Sequence, residues 1–192
     1  AINLAIGNTA GIAIISGTKN VLIGHAAGSA IVDDSYNTAL GYNALKGATA
    51  GEGNTAIGYN ALDTASFTGN NNTAVGRSAL GAAAAEMIDN VAVGQEALGA
   101  LNDVDSDGNV AIGKNAGLQY DAGGTGSLVQ ALNCVLIGKD CKTSLGTTAS
   151  PAANQIVIGY NALGIGNNTI ALGDTNITAI KGQVDFAAYS DR

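Results

Sequence analysis

The stretch Asn-Thr-Ala-Ile-Gly-Tyr-Asn-Ala-Leu, at residues 54–62, decides the fold, because approximate copies of it recur along the whole chain. The copies align on the glycine that follows the Asn-Thr-Ala-Ile part, and in the first seven copies these glycines are 17 to 19 residues apart. A period of this length predicts a stack of similar coils rather than an ordinary globular core. The ten glycines are Gly7, Gly24, Gly41, Gly58, Gly76, Gly94, Gly113, Gly138, Gly159 and Gly173.

Each copy predicts a short β-strand directly before its glycine. The residue before the glycine is always Ile, Val or Leu, and the residue two places earlier is Thr, Val, Ile or Leu. Side chains alternate along a strand, so Thr55 and Ile57 share one face and Ala56 lies on the other. A strand with two such faces is expected to be buried on both sides. We expect Thr55 and Ile57 to face the inside of the coil and Ala56 to leave room for a neighbouring layer.

The residues on either side of the strand predict turns. An asparagine such as Asn54 opens each strand, and asparagine is suited to turn entry because it tolerates left-handed backbone and bonds locally. In the last three copies, Asn133, Asn154 and Asn168 stand one place earlier. After the glycine, a polar pair and often Ala-Leu, as at residues 61–62, predict a tight turn and a second, shorter strand.

The pattern therefore predicts an all-β fold, a parallel β-roll or β-solenoid of about ten coils over residues 1–176. Residues 177–192 are expected to be an exit segment leading toward a further C-terminal domain. A helical solenoid is disfavoured, since its repeats are usually longer and amphipathic. A coil this narrow cannot cover its own apolar faces, and three coils around one axis would do so. We expect a homotrimer.

Composition excludes several classes of function. A formal net charge of −7 argues against binding nucleic acid through phosphate contacts. No apolar run is long enough to cross a membrane, so no membrane insertion is expected. The chain opens within a repeat and not with a signal peptide, as expected for a piece of a longer protein. Cys134 and Cys141 fit neither a zinc pattern nor a disulfide framework and are expected to be reduced, partly buried residues.

One loop carries a candidate metal site. Asp103, Asp105 and Asp107 alternate before Gly108, as carboxylates do in calcium loops that curl back at a glycine. Lys114 stands where an EF-hand needs its acidic last ligand, which excludes an EF-hand. The sequence predicts either a simpler Ca²⁺ site or a solvated acidic turn. No other cofactor is expected.

Catalytic patterns are weak. His25 is the single histidine and follows Gly24 at a turn, so a nucleophilic triad is not supported. Tyr42, Tyr59 and Tyr160 each follow a glycine. They predict either an exposed aromatic row for sugar contact or side chains that pack on the neighbouring coil. Variation is concentrated in the loops between copies, where recognition surfaces are commonly built.

The last three copies, which begin at residues 133, 154 and 168, resemble the head repeats of trimeric autotransporter adhesins. The form at residues 54–62 is more similar to the repeats of phage tail fibres. Ser190-Asp191-Arg192 is similar to the opening of the endosialidase-type intramolecular chaperone that follows many fibre shafts. These resemblances imply a left-handed, homotrimeric β-roll.

The function implied is that of a non-enzymatic phage tail-fibre segment, located in the virion. It would act as a shaft and bind a polysaccharide or outer-membrane receptor on the bacterial host. The alternatives are a bacterial surface adhesin head and a polysaccharide depolymerase. Ice binding would need outward threonine ladders, whereas Thr38, Thr55 and Thr73 are expected to point inward.

Overall fold

The computed structural model describes residues 2–82, 86–101, 105–118, 130–144 and 151–177. Across these ranges the chain is all-β, without a helix, and forms a parallel β-solenoid of about eight turns. Ten strands of three residues make one sheet, in chain order: β1 (Leu4–Ile6), β2 (Val21–Ile23), β3 (Thr38–Leu40), β4 (Thr55–Ile57), β5 (Thr73–Val75), β6 (Val91–Val93), β7 (Val110–Ile112), β9 (Val135–Ile137), β11 (Ile156–Ile158) and β12 (Ile170–Leu172). A second sheet pairs β8 (Ala131–Leu132) with β10 (Ala152–Ala153).

The strands confirm the predicted positions and stack in one repeated register. Ala56 of β4 pairs with Ala39 of β3 on one side and with Ala74 of β5 on the other. Equivalent residues of successive coils therefore form straight columns. The expectation of about ten coils is too high, since the ten strands belong to a solenoid of about eight turns.

The prediction of which strand face points inward is wrong. Ala56 is fully buried, whereas Thr55 and Ile57 are only partly covered. The inside of such a thin coil takes only the central side chain of each three-residue strand, which is alanine in most coils and the equally buried Leu22, Leu136 or Val157 in the others. The two flanking residues therefore point away from the coil. The core consists mainly of the strand-centre column and the Ala-Leu columns, with Phe67 and Met87 as the larger side chains.

The predicted second strand at Ala61-Leu62 is also wrong. Asn60 and Leu62 have φ angles of 52° and 50°, in the left-handed region, so the chain makes successive turns there. The Leu62 side chain is fully buried. Its N–H donates to the carbonyl of Ala79 at 2.9 Å, which joins this turn to the next coil. The Ala-Leu pair thus fills the core from a turn and not from a strand.

The motif glycines allow the coils to approach each other closely. Gly58 has φ +133°, and a Cβ atom built there would lie 2.6 Å from the carbonyl oxygen of Gly76. The same clash recurs along the column, with carbonyl oxygens 2.3 to 2.7 Å from the Cβ positions of most motif glycines. Glycine is required here because the φ angle is positive and because the next coil leaves no space for a Cβ atom.

A ladder of buried asparagines runs beside the sheet. The side-chain oxygen of Asn54 accepts the backbone N–H of Asn72 at 2.9 Å. Its amide nitrogen donates to the carbonyl of Gly69 at 2.8 Å, in the loop that closes the same coil. Each asparagine thus ties its own loop to the next coil. The fully buried members of this ladder are Asn37, Asn54, Asn72, Asn90 and Asn109.

The asparagines of the last three copies, which stand one place earlier than in the other copies, do not take the ladder position. Asn133, Asn154 and Asn168 have φ angles of 50° to 60° and are exposed turn residues. The ladder position is filled instead by Cys134, whose N–H donates to the side-chain oxygen of Asn109 at 3.0 Å, and by the fully buried Gln155.

Two glycine substitutions separate backbone strain from close approach. Gly58 and Gly166 have nearly the same φ, +133° and +135°, but a Cβ at Gly166 meets nothing within 4 Å. Both Gly58→Ala and Gly166→Ala should incur the strain of about 1–3 kcal/mol. Gly58→Ala should lower the free energy of unfolding by a further ~1–3 kcal/mol or more, because the added methyl group pushes two coils apart. Chemical denaturation measures both, and equal losses would contradict the close-approach explanation.

Candidate functional site

The predicted calcium loop lies partly within the described residues. Asp103 lies outside them, whereas Asp105 is exposed and Asp107 is partly buried. Asp107 Oδ1 accepts the N–H of Ile88 at 2.7 Å, which ties this loop to the preceding coil. Burial raises the pKa of Asp107. The hydrogen bond from Ile88 lowers this pKa, and the nearby negative charges of Asp105 and Asp89 raise it. In the ranges that can be described, no three His, Cys, Asp or Glu residues form a metal-binding group. Calcium binding by the full triplet stays a prediction.

The residues that follow the motif glycines form a column, and part of it is aromatic. The rings of His25 and Tyr42 stack with centroids 4.9 Å apart, and those of Tyr42 and Tyr59 with centroids 5.5 Å apart. Packing on the neighbouring coil is thus confirmed for these tyrosines. Because their ring faces cover each other, mainly edges are left for a ligand. Tyr160 lies apart, with Lys139 Nζ 5.4 Å from its ring centroid.

Both cysteines are buried and unpaired, as predicted. Cys141 occupies the column that holds Ala61 and its equivalents, and Cys134 occupies the asparagine ladder. Burial raises the pKa of both thiols, to about 11 for Cys141. These thiols stay protonated at neutral pH and are therefore poor nucleophiles.

A buried carboxylate at Asp34 was missed by the sequence reasoning. Its Oδ2 atom is buried without a hydrogen-bond partner in the described structure. Burial raises the pKa of Asp34, and the negative charges of Glu52 and Asp33 raise it as well. A hydrogen bond from the backbone of Gly51 lowers it. The sequence shows an Asp33-Asp34 pair, but only the register of the coil decides which of the two is buried.

A cleft crosses three successive coils near Asp63. It has a volume of about 520 Å³, and its polar lining comes from Ser29, Lys46, Thr49, Asp63 and Ser66. Burial raises the pKa of Asp63, and the positive charge of Lys46 acts against that shift. The two side chains nevertheless make no ion pair, since the ion pairs found in the described ranges are Arg77–Glu96 and Lys139–Asp140. Nothing in the motif pointed to this cleft, which depends on how the connecting loops fold.

The outward face of the main sheet is the largest uncovered feature. One of its two columns, which holds Ile57, is apolar at all ten positions, and the other is apolar at seven. The remaining three positions of the second column are Thr38, Thr55 and Thr73. The expectation that these threonines point inward is therefore wrong. Their ladder is nevertheless short, because Val21 and Val91 continue the column on either side.

No protein-family profile matches this chain, and no curated protein does. In the part of the chain that the structure describes, no helix has the length and apolarity needed to cross a membrane.

The raised pKa of Asp34 predicts a pH-dependent effect of Asp34→Asn. A carboxyl group with a raised folded-state pKa stabilises the fold fully below its ordinary value of 3.8. That contribution is lost as pH rises through the folded-state pKa. Asp34→Asn should therefore raise Tm at pH 7, by about 2–4 °C for each kcal/mol recovered. The gain should shrink as pH falls from the folded-state pKa toward 3.8 and should vanish below 3.8. Thermal melts at several pH values measure this, with Asp89→Asn as the exposed control, and a pH-independent difference would contradict it.

Proposed function

We propose that this chain is a segment of a homotrimeric phage tail fibre that forms a shaft and attaches the virion to the bacterial surface, without catalysis. The observation that carries the proposal is the apolar outward face of the ten-stranded sheet. The trimer, the left-handed roll and the virion location are proposed because the repeats resemble those of fibres and adhesins.

The apolar face supports association of copies because it cannot serve as an ordinary solvated surface. A sheet face in water normally carries polar residues, and extended apolar patches mark interaction sites. This face carries two columns of side chains, and the same register continues from β1 to β12. Identical faces of parallel copies can therefore meet along their whole length around one axis.

The irregular loops support the attachment role. The columns repeat from coil to coil, whereas the spacing between motif glycines varies from 14 to 25 residues. The extra residues fall outside the strands and the glycine turns. A rigid scaffold that carries variable loops is a common way to build a recognition surface.

Substitutions on the outward face test the trimer. Mass photometry and sedimentation at micromolar concentration should give a particle of three times 18.8 kDa. Ile57→Lys and Val93→Lys should dissociate it, because a lysine buried at the axis costs several kcal/mol. Glu52→Lys, at an exposed loop position, should leave it intact. A stable wild-type monomer would contradict the proposal.

Attachment is tested with fluorescently labelled protein and bacterial cells. A saturable signal on cells of a susceptible strain is expected, and no signal on cells stripped of surface polysaccharide and outer-membrane receptors. Incubation with purified capsule or lipopolysaccharide should release no new reducing ends. Sustained release would support a depolymerase instead, and binding to no bacterial strain would contradict attachment.

A further inference from the structure

We propose that the cleft between Lys46 and Asp63 binds a neutral saccharide unit through the hydroxyl groups of that sugar. The inference rests on the proposed attachment function, for which it names a contact site and a class of ligand. It is carried by the arrangement of polar side chains across three coils.

The cleft has a suitable size and a rigid base. Its volume of about 520 Å³ falls within the range of about 300–1,000 Å³ that is typical of small-molecule sites. Ser29 lies on one coil, Lys46 and Thr49 on the next, and Asp63 and Ser66 on the third. The coils beneath are joined by backbone hydrogen bonds, including Thr49 N to Phe67 O at 2.9 Å and Phe67 N to Gly47 O at 3.1 Å. Phe67 is fully buried and anchors this loop in the core.

The polar side chains of the cleft are not satisfied by neighbouring coils, unlike those of other loops. Elsewhere the loops bond from coil to coil, as Ser16 does to Asp33 and the N–H of Glu52 to Asn70. Within the described ranges, the Asp63 carboxylate has neither a hydrogen bond nor an ion pair to protein. The hydroxyl of Thr64, next in the chain, is buried without a partner. The Asp63 carboxylate is therefore left to water or to a ligand, whereas the Thr64 hydroxyl does not line the cleft.

The charges in the cleft select a ligand that both donates and accepts hydrogen bonds. A carboxylate is an acceptor only, and an ammonium group is a donor only. Asp63 and Lys46 interact electrostatically but make no ion pair, so both remain able to bond to a ligand in the cleft. A sugar ring suits both groups, because each hydroxyl can donate to Asp63 or accept from Lys46. The formal charges of the two side chains cancel, which favours a neutral ligand, and the net charge of −7 disfavours a polyanion.

The open form of the cleft predicts weak binding at each site. Lys46 and Ser66 are exposed side chains that lose conformational freedom when they hold a ligand. We therefore expect an affinity in the millimolar range for one sugar, about −4 kcal/mol. Several copies of the cleft on one fibre would strengthen attachment to a polymer through multivalency.

The experiment is a titration of the ¹⁵N-labelled chain followed by NMR. The probes are methyl α-D-glucopyranoside, methyl α-D-galactopyranoside and N-acetylglucosamine, each added separately. Saturable shifts of the backbone amides around Lys46 and Asp63 are expected for at least one probe. Asp63→Asn and Lys46→Met should each weaken that binding about tenfold, the scale of a lost hydrogen bond to a charged group. The matched controls Glu52→Gln and Lys19→Met should leave it unchanged.

Failure of the cleft is distinguishable from failure of the attachment function. The cleft proposal would be overturned if none of the three probes caused saturable amide shifts, or if Asp63→Asn left those shifts unchanged. If labelled Asp63→Asn protein still attaches to cells as the wild type does, the cleft proposal is wrong and attachment stands. If the cleft binds a probe but the wild type attaches to no cells, the cleft stands and the proposed function fails.

Discussion

The close backbone contact at the motif glycines is the constraint on which the rest of the solenoid depends. At Gly58, as at most glycines of the column, a carbonyl oxygen of the next coil occupies the space of a Cβ atom. This contact lets the turns stack at the spacing that the strand hydrogen bonds require. The asparagine ladder adds a second constraint, since Asn54 and its equivalents bond both to their own loop and to the next coil. Together they align the columns of these thin coils, whose largest fully buried side chains include Phe67, Met87 and several leucines.

The outward sheet face follows directly from this thinness. Strand centres such as Ala56 and Leu22 are buried because only the central side chain of each strand points into the thin coil. Ile57 and its equivalents are left outside, where they form an apolar surface along the sheet. In such a fold the stability of one chain and its association with other copies are closely linked, since the apolar area that one coil cannot bury is available to a neighbour.

Much of the fold could be predicted from the repeat, whereas the candidate site could not. All ten strands lie where the motif places them, and Tyr42 and Tyr59 pack on neighbouring coils as one of the two predictions had it. Periodicity says which side chains share a face, but it does not say which face is inside, and that prediction was wrong. The cleft at Lys46 and Asp63 escaped notice because Ser29, Lys46 and Asp63, although they occupy the same position of three successive repeats, are unrelated side chains.

The sequence by itself determined the coil, the strand positions and the glycine turns, because these depend on contacts repeated at every copy. The tertiary structure alone decided the orientation of the strand faces, since that depends on the width of the coil interior and not on alternation. It also decided that Cys134 and Gln155 take the ladder position in place of Asn133 and Asn154, which lie in left-handed turns. The motif shows that the asparagines stand one place earlier, but which residue replaces them depends on what lies against the preceding coil, as Cys134 does against Asn109.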